Sequence, residues 1–245
     1  MIRDSDEEDA DEEVEAEGDE SPLDDVASGP SETADPQSIV NTKIPQDIRE
    51  KYEVISYRNA AVILAETRPT EFGEVLEALR SFSITTEMIK RAGGNESEMP
   101  KEFSKILRPK GWHETIIRAD LHVTLSWREE VRKTKGGKPV REKRTRTITR
   151  EKYLDGHKID YVKEKVAFDL EWNAKDQTFD RDLYAMNAFF LSGALDAGVL
   201  VTRSASLNDV FRTIGKETMK KYGASTTWMG KLLYRLNAGR NGGCP

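Results

Sequence analysis

The sequence has little cysteine and histidine, and this excludes several kinds of site. Cys244 is the single cysteine, so no disulfide can form within the chain and a cysteine-rich zinc site is excluded. His113, His122 and His157 are scattered, without the spacing of zinc ligands. A lone cysteine also fits a reducing compartment.

Long apolar runs are missing as well. No run approaches the roughly 20 residues that a membrane-spanning helix needs. The N-terminus is acidic and has neither the positive start nor the apolar centre of a secretory signal. The sequence therefore predicts a cytoplasmic protein that does not contact membranes.

Residues 1–45 contain no aromatic residue and carry most of the acidic charge. Residues 1–36 hold 16 Asp or Glu and one basic residue, Arg3. Such a segment buries too little apolar surface to offset its ordering entropy, so we expect 1–45 to be a disordered tail and 46–245 to be the folded domain. The acidic tail either binds the rest of the chain in competition with a polyanionic partner, or serves only to keep the protein soluble.

The remainder of the chain is basic. Residues 37–245 hold 37 Lys or Arg against 28 Asp or Glu, a net charge of +9. This balance indicates a polyanionic partner such as nucleic acid, although a solvated basic surface would give the same count.

Apolar periodicity predicts alternating helices and strands in the folded domain. Helices are expected at 69–82, 100–107, 179–197, 207–222 and 228–236, and strands at 113–127, 140–148, 166–172 and 198–202, with 52–57 either a strand or the start of a helix. The alternation predicts an α/β fold with a mixed sheet flanked by helices. The all-apolar run at 198–202 is typical of a strand inside a sheet.

The two strands before residue 150 are expected to form a long basic hairpin. Residues 128–152 contain 11 basic and four acidic residues. Lys143, Arg144 and Arg146 are expected to contact DNA phosphates along this arm. The alternative is an exposed, solvated arm.

Three carboxylates mark the candidate site for chemistry. Asp169 and Glu171 are two residues apart in a predicted strand, so their side chains leave the same face among apolar neighbours. A turn around residues 163–165 would bring Asp160 alongside. Unpaired carboxylates are costly in such a place, which favours a Mg²⁺ site that activates water and holds a phosphate. A charged protein also contains Asp-x-Glu patterns at its surface that bind nothing.

At these residues the chain resembles type II restriction endonucleases of the BglII/BstYI group, which are related in fold to BamHI. The similar stretches include the spacing of Asp160 to Asp169 and Glu171, and residues 107–114, 160–167, 224–232 and 238–245. The resemblance implies a restriction-endonuclease-like core and a Mg²⁺-dependent enzyme. It would cut double-stranded DNA as a homodimer, at a short, GATC-centred palindrome. The second hypothesis is a decayed nuclease that binds DNA without cutting it.

The resemblance also implies residues that read DNA. Asn173 and Lys175 lie in the corresponding loop, which is one residue longer here. Ser225, Thr226 and Thr227 can reach base edges, or alternatively cap the helix that follows.

The acidic pair differs from the group, which carries Glu and Gln where this chain has Asp169 and Glu171. Chains of the group also continue past the position of Pro245 into an apolar strand. We therefore expect a sheet strand to be missing here, with weak stability and activity as a consequence.

Overall fold

The computed structural model describes residues 29–91, 98–223 and 225–245. Residues 1–28 of the predicted tail lie outside the described residues.

A mixed four-stranded sheet forms the centre of the domain. Its strands are β1 (His113–Lys133), β2 (Pro139–Lys163), β3 (Val166–Glu171) and β4 (Ala197–Thr202), in the order β1-β2-β3-β4. The first two pairings are antiparallel and the β3–β4 pairing is parallel. The predicted α/β fold with a mixed sheet is confirmed.

Ten α-helices surround this sheet in the described part of the chain. In chain order they are α1 (Gln37–Lys43), α2 (Gln46–Lys51), α3 (Ala60–Thr67), α4 (Pro69–Ser81), α5 (Thr86–Lys90), α6 (Glu98–Leu107), α7 (Thr178–Leu191), α8 (Leu207–Ile214), α9 (Lys216–Lys221) and α10 (Met229–Asn237). A short 3₁₀ turn, Arg108–Lys110, leads into β1.

Strand β3 is buried along its whole length, and its two faces meet different partners. Phe168 and Leu170 pack into the main core with α4 and α6, where the ring of Phe103 contacts that of Phe168 at a tilt of 37°. Ala167 packs on the opposite face against Ala185 and other residues of α7. Because side chains alternate along a strand, Asp169 and Glu171 share the face that is covered by α7.

Several predicted boundaries need correction. Order begins before residue 46, because Val40 of α1 is buried in the core and Asp35 accepts hydrogen bonds from Ser56 and Asn59. Helix α7 ends at Leu191, and the predicted helix at 207–222 is broken at Gly215, where φ is +129°. Residues 52–57 form neither a strand nor a helix; Tyr57 makes only an isolated bridge to Ala34.

Strand β4 occupies the edge of the described sheet, and this corrects its predicted interior position. Gly198 donates its backbone N–H to the carbonyl of Pro245 at 3.0 Å, so the last residue lies beside the start of β4. A cavity of about 210 Å³ follows the rest of the strand. Its lining includes residues 198–202 and apolar side chains of α2, α3, α4 and α10.

Filling this edge is expected to stabilise the domain. A five- to six-residue apolar extension after Pro245, the usual length of a strand, would pair with β4 and cover the cavity. We expect a gain of roughly 1–2 kcal/mol after ordering costs, or about 2–8 °C in Tm. An extension of the same length made of Gly and Ser is the control. Equal melting temperatures for the two extended chains would show that the apolar extension does not pair with β4.

Candidate active site

The strand register brings the three predicted carboxylates together. Tyr161 lies opposite Phe168 and Val162 opposite Ala167, so the same register places Asp160 opposite Asp169. The turn between β2 and β3 falls at residues 164–165, where Glu164 has a positive φ of 49°. The predicted turn around residues 163–165 is therefore confirmed. It carries Asp160 to the face that holds Asp169 and Glu171.

Burial makes these carboxyl groups hard to ionise. Asp169 and Glu171 are 4% and 8% exposed. Desolvation, then the nearby Asp160 and Asp182 carboxylates, raise the pKa of Asp169 well above its usual range. Desolvation and the neighbouring Asp182 raise the pKa of Glu171 to about 9. Both carboxyl groups therefore favour their protonated form more strongly than an exposed carboxyl group does.

Helix α7 contributes two residues that the sequence reasoning missed. Asp182 is 1% exposed and lies beside Glu171. Burial is also the main cause that raises the pKa of Asp182. Its neighbour Arg181 forms an ion pair with Asp182 at 3.1 Å and approaches Glu171 Oε1 at 3.9 Å. Helical spacing places Asp182 on the inner face of α7 with Phe179 and Met186, but it does not say that this face covers β3.

The chemistry of this donor set fits a hard divalent cation. Mg²⁺ prefers carboxylate oxygens, and a cation would offset the cost of four clustered acids. Asp182 Oδ2 is buried and has no hydrogen-bond partner among the described atoms. As the side chains stand, no three His, Cys, Asp or Glu residues in the described part of the chain form a metal-binding group. Metal binding at these carboxylates would therefore require their deprotonation and a change in their side-chain positions.

The two predicted DNA-reading segments lie next to each other. Lys175 and Thr226 form an isolated antiparallel bridge, and Asp176 N–H donates to the Ser225 carbonyl. Lys175 and Ser225 are exposed at this junction, just beyond the end of β3. Asn173 lies in the same turn, and its buried Oδ1 lacks a hydrogen-bond partner among the described atoms.

The neighbouring threonines point inward. Thr226 accepts a hydrogen bond from Arg203 and donates one to the Gly223 carbonyl. Thr227 is 0% exposed, and its hydroxyl finds no partner among the described atoms. Neither side chain caps α10, whose first turn has no side-chain cap. A base contact from Thr227 would need this segment to open, so Thr227 is not kept among the DNA-contacting residues.

The predicted basic hairpin is present, and it is longer than expected. Strands β1 and β2 pair from Lys133 and Pro139 at the tip inward to the main sheet. Arg144 and Arg146 pair with Trp127 and Leu125, and directly paired residues share a face. Lys143 pairs with Arg128 on the opposite face. The three cations proposed to contact phosphates are thus divided between two faces of the arm.

This division sharpens the expected effect of neutralising the arm. Arg144→Gln and Arg146→Gln should have similar effects, because both residues lie on one face of the arm. Each change should weaken binding to all DNA sequences and lower the slope of log binding constant against log salt concentration by about one unit. Lys143→Gln should act separately, since the two faces of a ribbon cannot lie on one phosphate track. Fluorescence anisotropy over a salt titration measures both quantities. A changed sequence preference in any variant would instead place the arm in a groove.

The fold and this site together define a class: a mixed α/β domain with clustered carboxylates on a central strand, of the kind found in nucleases of restriction-endonuclease-like fold. The family model for restriction endonuclease BglII/BglIII matches residues 52–245. The chain belongs to this restriction endonuclease family, a family of nucleases that bind DNA. No curated protein matches it. None of the helices in the described ranges is long and apolar enough to cross a membrane.

Proposed function

We propose that this protein is a Mg²⁺-dependent endonuclease that hydrolyses phosphodiester bonds at a short palindrome in double-stranded DNA. The observation that carries the proposal is the grouping of Asp160, Asp169 and Glu171 on one face of β2 and β3. Two of these acids are almost fully buried, so their ionised forms are costly unless a cation is bound beside them. Family membership supports the same activity.

The three carboxylates would hold the metal. When bound, Mg²⁺ supplies a Lewis acid for a phosphate oxygen and lowers the pKa of a coordinated water. Asp160 is half-buried at the open side of the group, and Asp169 and Glu171 form its inner wall. Their deprotonation turns a set of neutral acids into ligands, so we expect metal affinity to rise with pH.

The surface around the carboxylates is suited to DNA. Lys175 and Ser225 are exposed where the 173–176 and 225–227 segments meet, directly after β3. Asn173 and Thr226 lie beside them. Asn173 would read bases once its buried Oδ1 became exposed, and Thr226 once its hydrogen bonds to Arg203 and Gly223 rearranged. Lys143, Arg144 and Arg146 extend the basic surface along the hairpin and would contact phosphates.

Cutting both strands symmetrically requires two active sites, which a homodimer provides. A two-fold symmetric pair of chains would recognise a palindrome, each chain reading one half. The resemblance to the BglII/BstYI group suggests a GATC-centred site.

Incubating the full chain with fragmented genomic DNA and Mg²⁺, then sequencing the new ends, tests this proposal. We expect ends that share one short palindrome, and no new ends in EDTA. Scattered ends without a common sequence would contradict site specificity. Sequence-specific binding in Ca²⁺ without any Mg²⁺-dependent cleavage would favour the second hypothesis, a DNA-binding protein that has lost its activity.

A further inference from the structure

We propose that Arg181 is a catalytic residue that contacts the scissile phosphate, and that Asp182 is the positioning residue that aims it. The inference rests on the proposed nuclease function and adds two residues from α7 to the carboxylate site. Its basis is the arrangement of one exposed guanidinium and one buried carboxylate next to each other on this helix.

The guanidinium of Arg181 lies at the open side of the carboxylate group. Its side chain is 68% exposed, and its Nη2 is 3.9 Å from Glu171 Oε1. Among the described residues, Asp182 is the acceptor of the guanidinium's hydrogen bonds, which come from Nε and Nη2. The other N–H groups have no protein acceptor there. Arg181 therefore touches the site with one edge and offers free donors to a ligand at the surface.

Asp182 fixes this orientation from below. Both Nε and Nη2 of Arg181 donate to Asp182 Oδ1, at 3.2 and 3.1 Å. Asp182 itself is buried against β3, so it has little freedom to move. An arginine held by an immobile carboxylate loses less entropy on binding than a free one, because its fork is already oriented.

Other cations near the carboxylates are less suited to this role. Lys158 lies close enough to Asp160 to interact with it, but its ammonium group is hydrogen-bonded to Glu114. Lys165 pairs with Asp196 beyond the far end of β3. Arg181 is the cation whose ion pairs in the described part of the chain reach Glu171.

A phosphate needs such a group here. Four carboxyl groups cluster at this place, and once ionised they repel a phosphodiester. In the transition state of hydrolysis, negative charge grows on the phosphate oxygens, and a guanidinium can donate two parallel hydrogen bonds to them. A pre-oriented donor of this kind typically contributes a factor of about 10²–10³ in rate.

The test compares single-turnover cleavage rates of full-length variants on one supercoiled plasmid at saturating protein. We expect Arg181→Ala to lower the rate about 100-fold while affinity for the same DNA in Ca²⁺ changes less than about fivefold. Added guanidinium ion should restore part of this loss. Arg181→Lys keeps a charge that can pair with Asp182, so it should fold, yet it should remain slow because an ammonium cannot form the two-point contact. Asp182→Asn should cut at a rate between those of the parent and Arg181→Ala. Added guanidinium ion should speed this variant least, because its Arg181 side chain is still present.

Arg212→Ala is the matched control, because Arg212 is an exposed arginine of α8 that pairs with an aspartate of the same helix, Asp209. It should cut at the parent rate. If Arg181→Ala and Arg181→Lys both cut within twofold of the parent, the inference is overturned and the proposed function stands. Loss of cleavage without any guanidinium rescue, together with a lower melting temperature, would assign Arg181 a structural role instead. A parent chain that cuts no DNA would overturn the proposed function and this inference together.

Discussion

Replacing Asp169 or Glu171 with alanine is expected to abolish DNA cleavage while DNA binding persists in Ca²⁺. Both side chains lie on the α7 face of β3, where they would hold the metal with Asp160. Loss of one ligand should remove several kcal/mol of transition-state stabilisation, which is a rate loss of roughly a thousandfold or more.

Single-turnover plasmid cleavage in Mg²⁺ measures the rate, and electrophoretic mobility shift in Ca²⁺ measures binding. Asp209→Ala is a suitable control, because Asp209 is an exposed acid whose ion-pair partner within the described ranges is Arg212. Either site variant cutting at the parent rate would refute the assignment of that residue.

The same carboxylates should make the metal-free protein less stable as pH rises. Glu171 has a folded pKa of about 9, above its ordinary value of 4.5, because of burial and the neighbouring Asp182. Between these two values the folded chain keeps a proton that the unfolded chain releases, so the free energy of unfolding falls as pH increases. Asp169, whose pKa is raised in the same direction, adds to this loss.

Two consequences can be measured by calorimetry in EDTA and in Mg²⁺. First, Tm in EDTA should fall from pH 5 to pH 9, and Glu171→Gln or Asp169→Asn should flatten that fall and raise Tm at pH 8 by about 2–8 °C, equivalent to roughly 1–2 kcal/mol. Second, Mg²⁺ should raise the parent's Tm more at pH 8 than at pH 5, because binding needs ionised ligands. A parent whose Tm in EDTA is constant over this range would contradict the raised pKa values.

Much of the carboxylate site was accessible from the sequence because it depends on local rules. The period of two along β3 places Asp169 and Glu171 on one face, and a short turn limits where Asp160 can lie. These rules need no knowledge of distant residues. The strand bounds and the register confirm them.

Features that depend on tertiary packing were not accessible in this way. Asp182 joins the carboxylates only because α7 packs across β3, and periodicity does not say which strand a helix will cover. Strand β4 has the apolar sequence of an interior strand, yet in the described sheet it pairs with β3 on one side and lines a cavity on the other. Thr227 looked available to DNA, but the pairing of its segment with residues 174–176 buries it.

The division of the hairpin cations between two faces was likewise hidden. Sequence composition gives the charge of the arm, whereas the faces follow from its register, which pairs Trp127 with Arg144 and Arg128 with Lys143. Register in a long ribbon is fixed by the turn at its tip, here residues 134–138, and by bulges along it.

The most direct test of the central claim is cleavage of a supercoiled plasmid by the full chain in Mg²⁺, compared in one experiment with the chain in EDTA and with Asp169→Asn in Mg²⁺. The site described here predicts discrete linear products for the parent in Mg²⁺ only, and intact plasmid in the other two reactions. Equal cleavage by the parent and by Asp169→Asn, or cleavage that persists in EDTA, would contradict a metal-dependent nuclease site at these carboxylates.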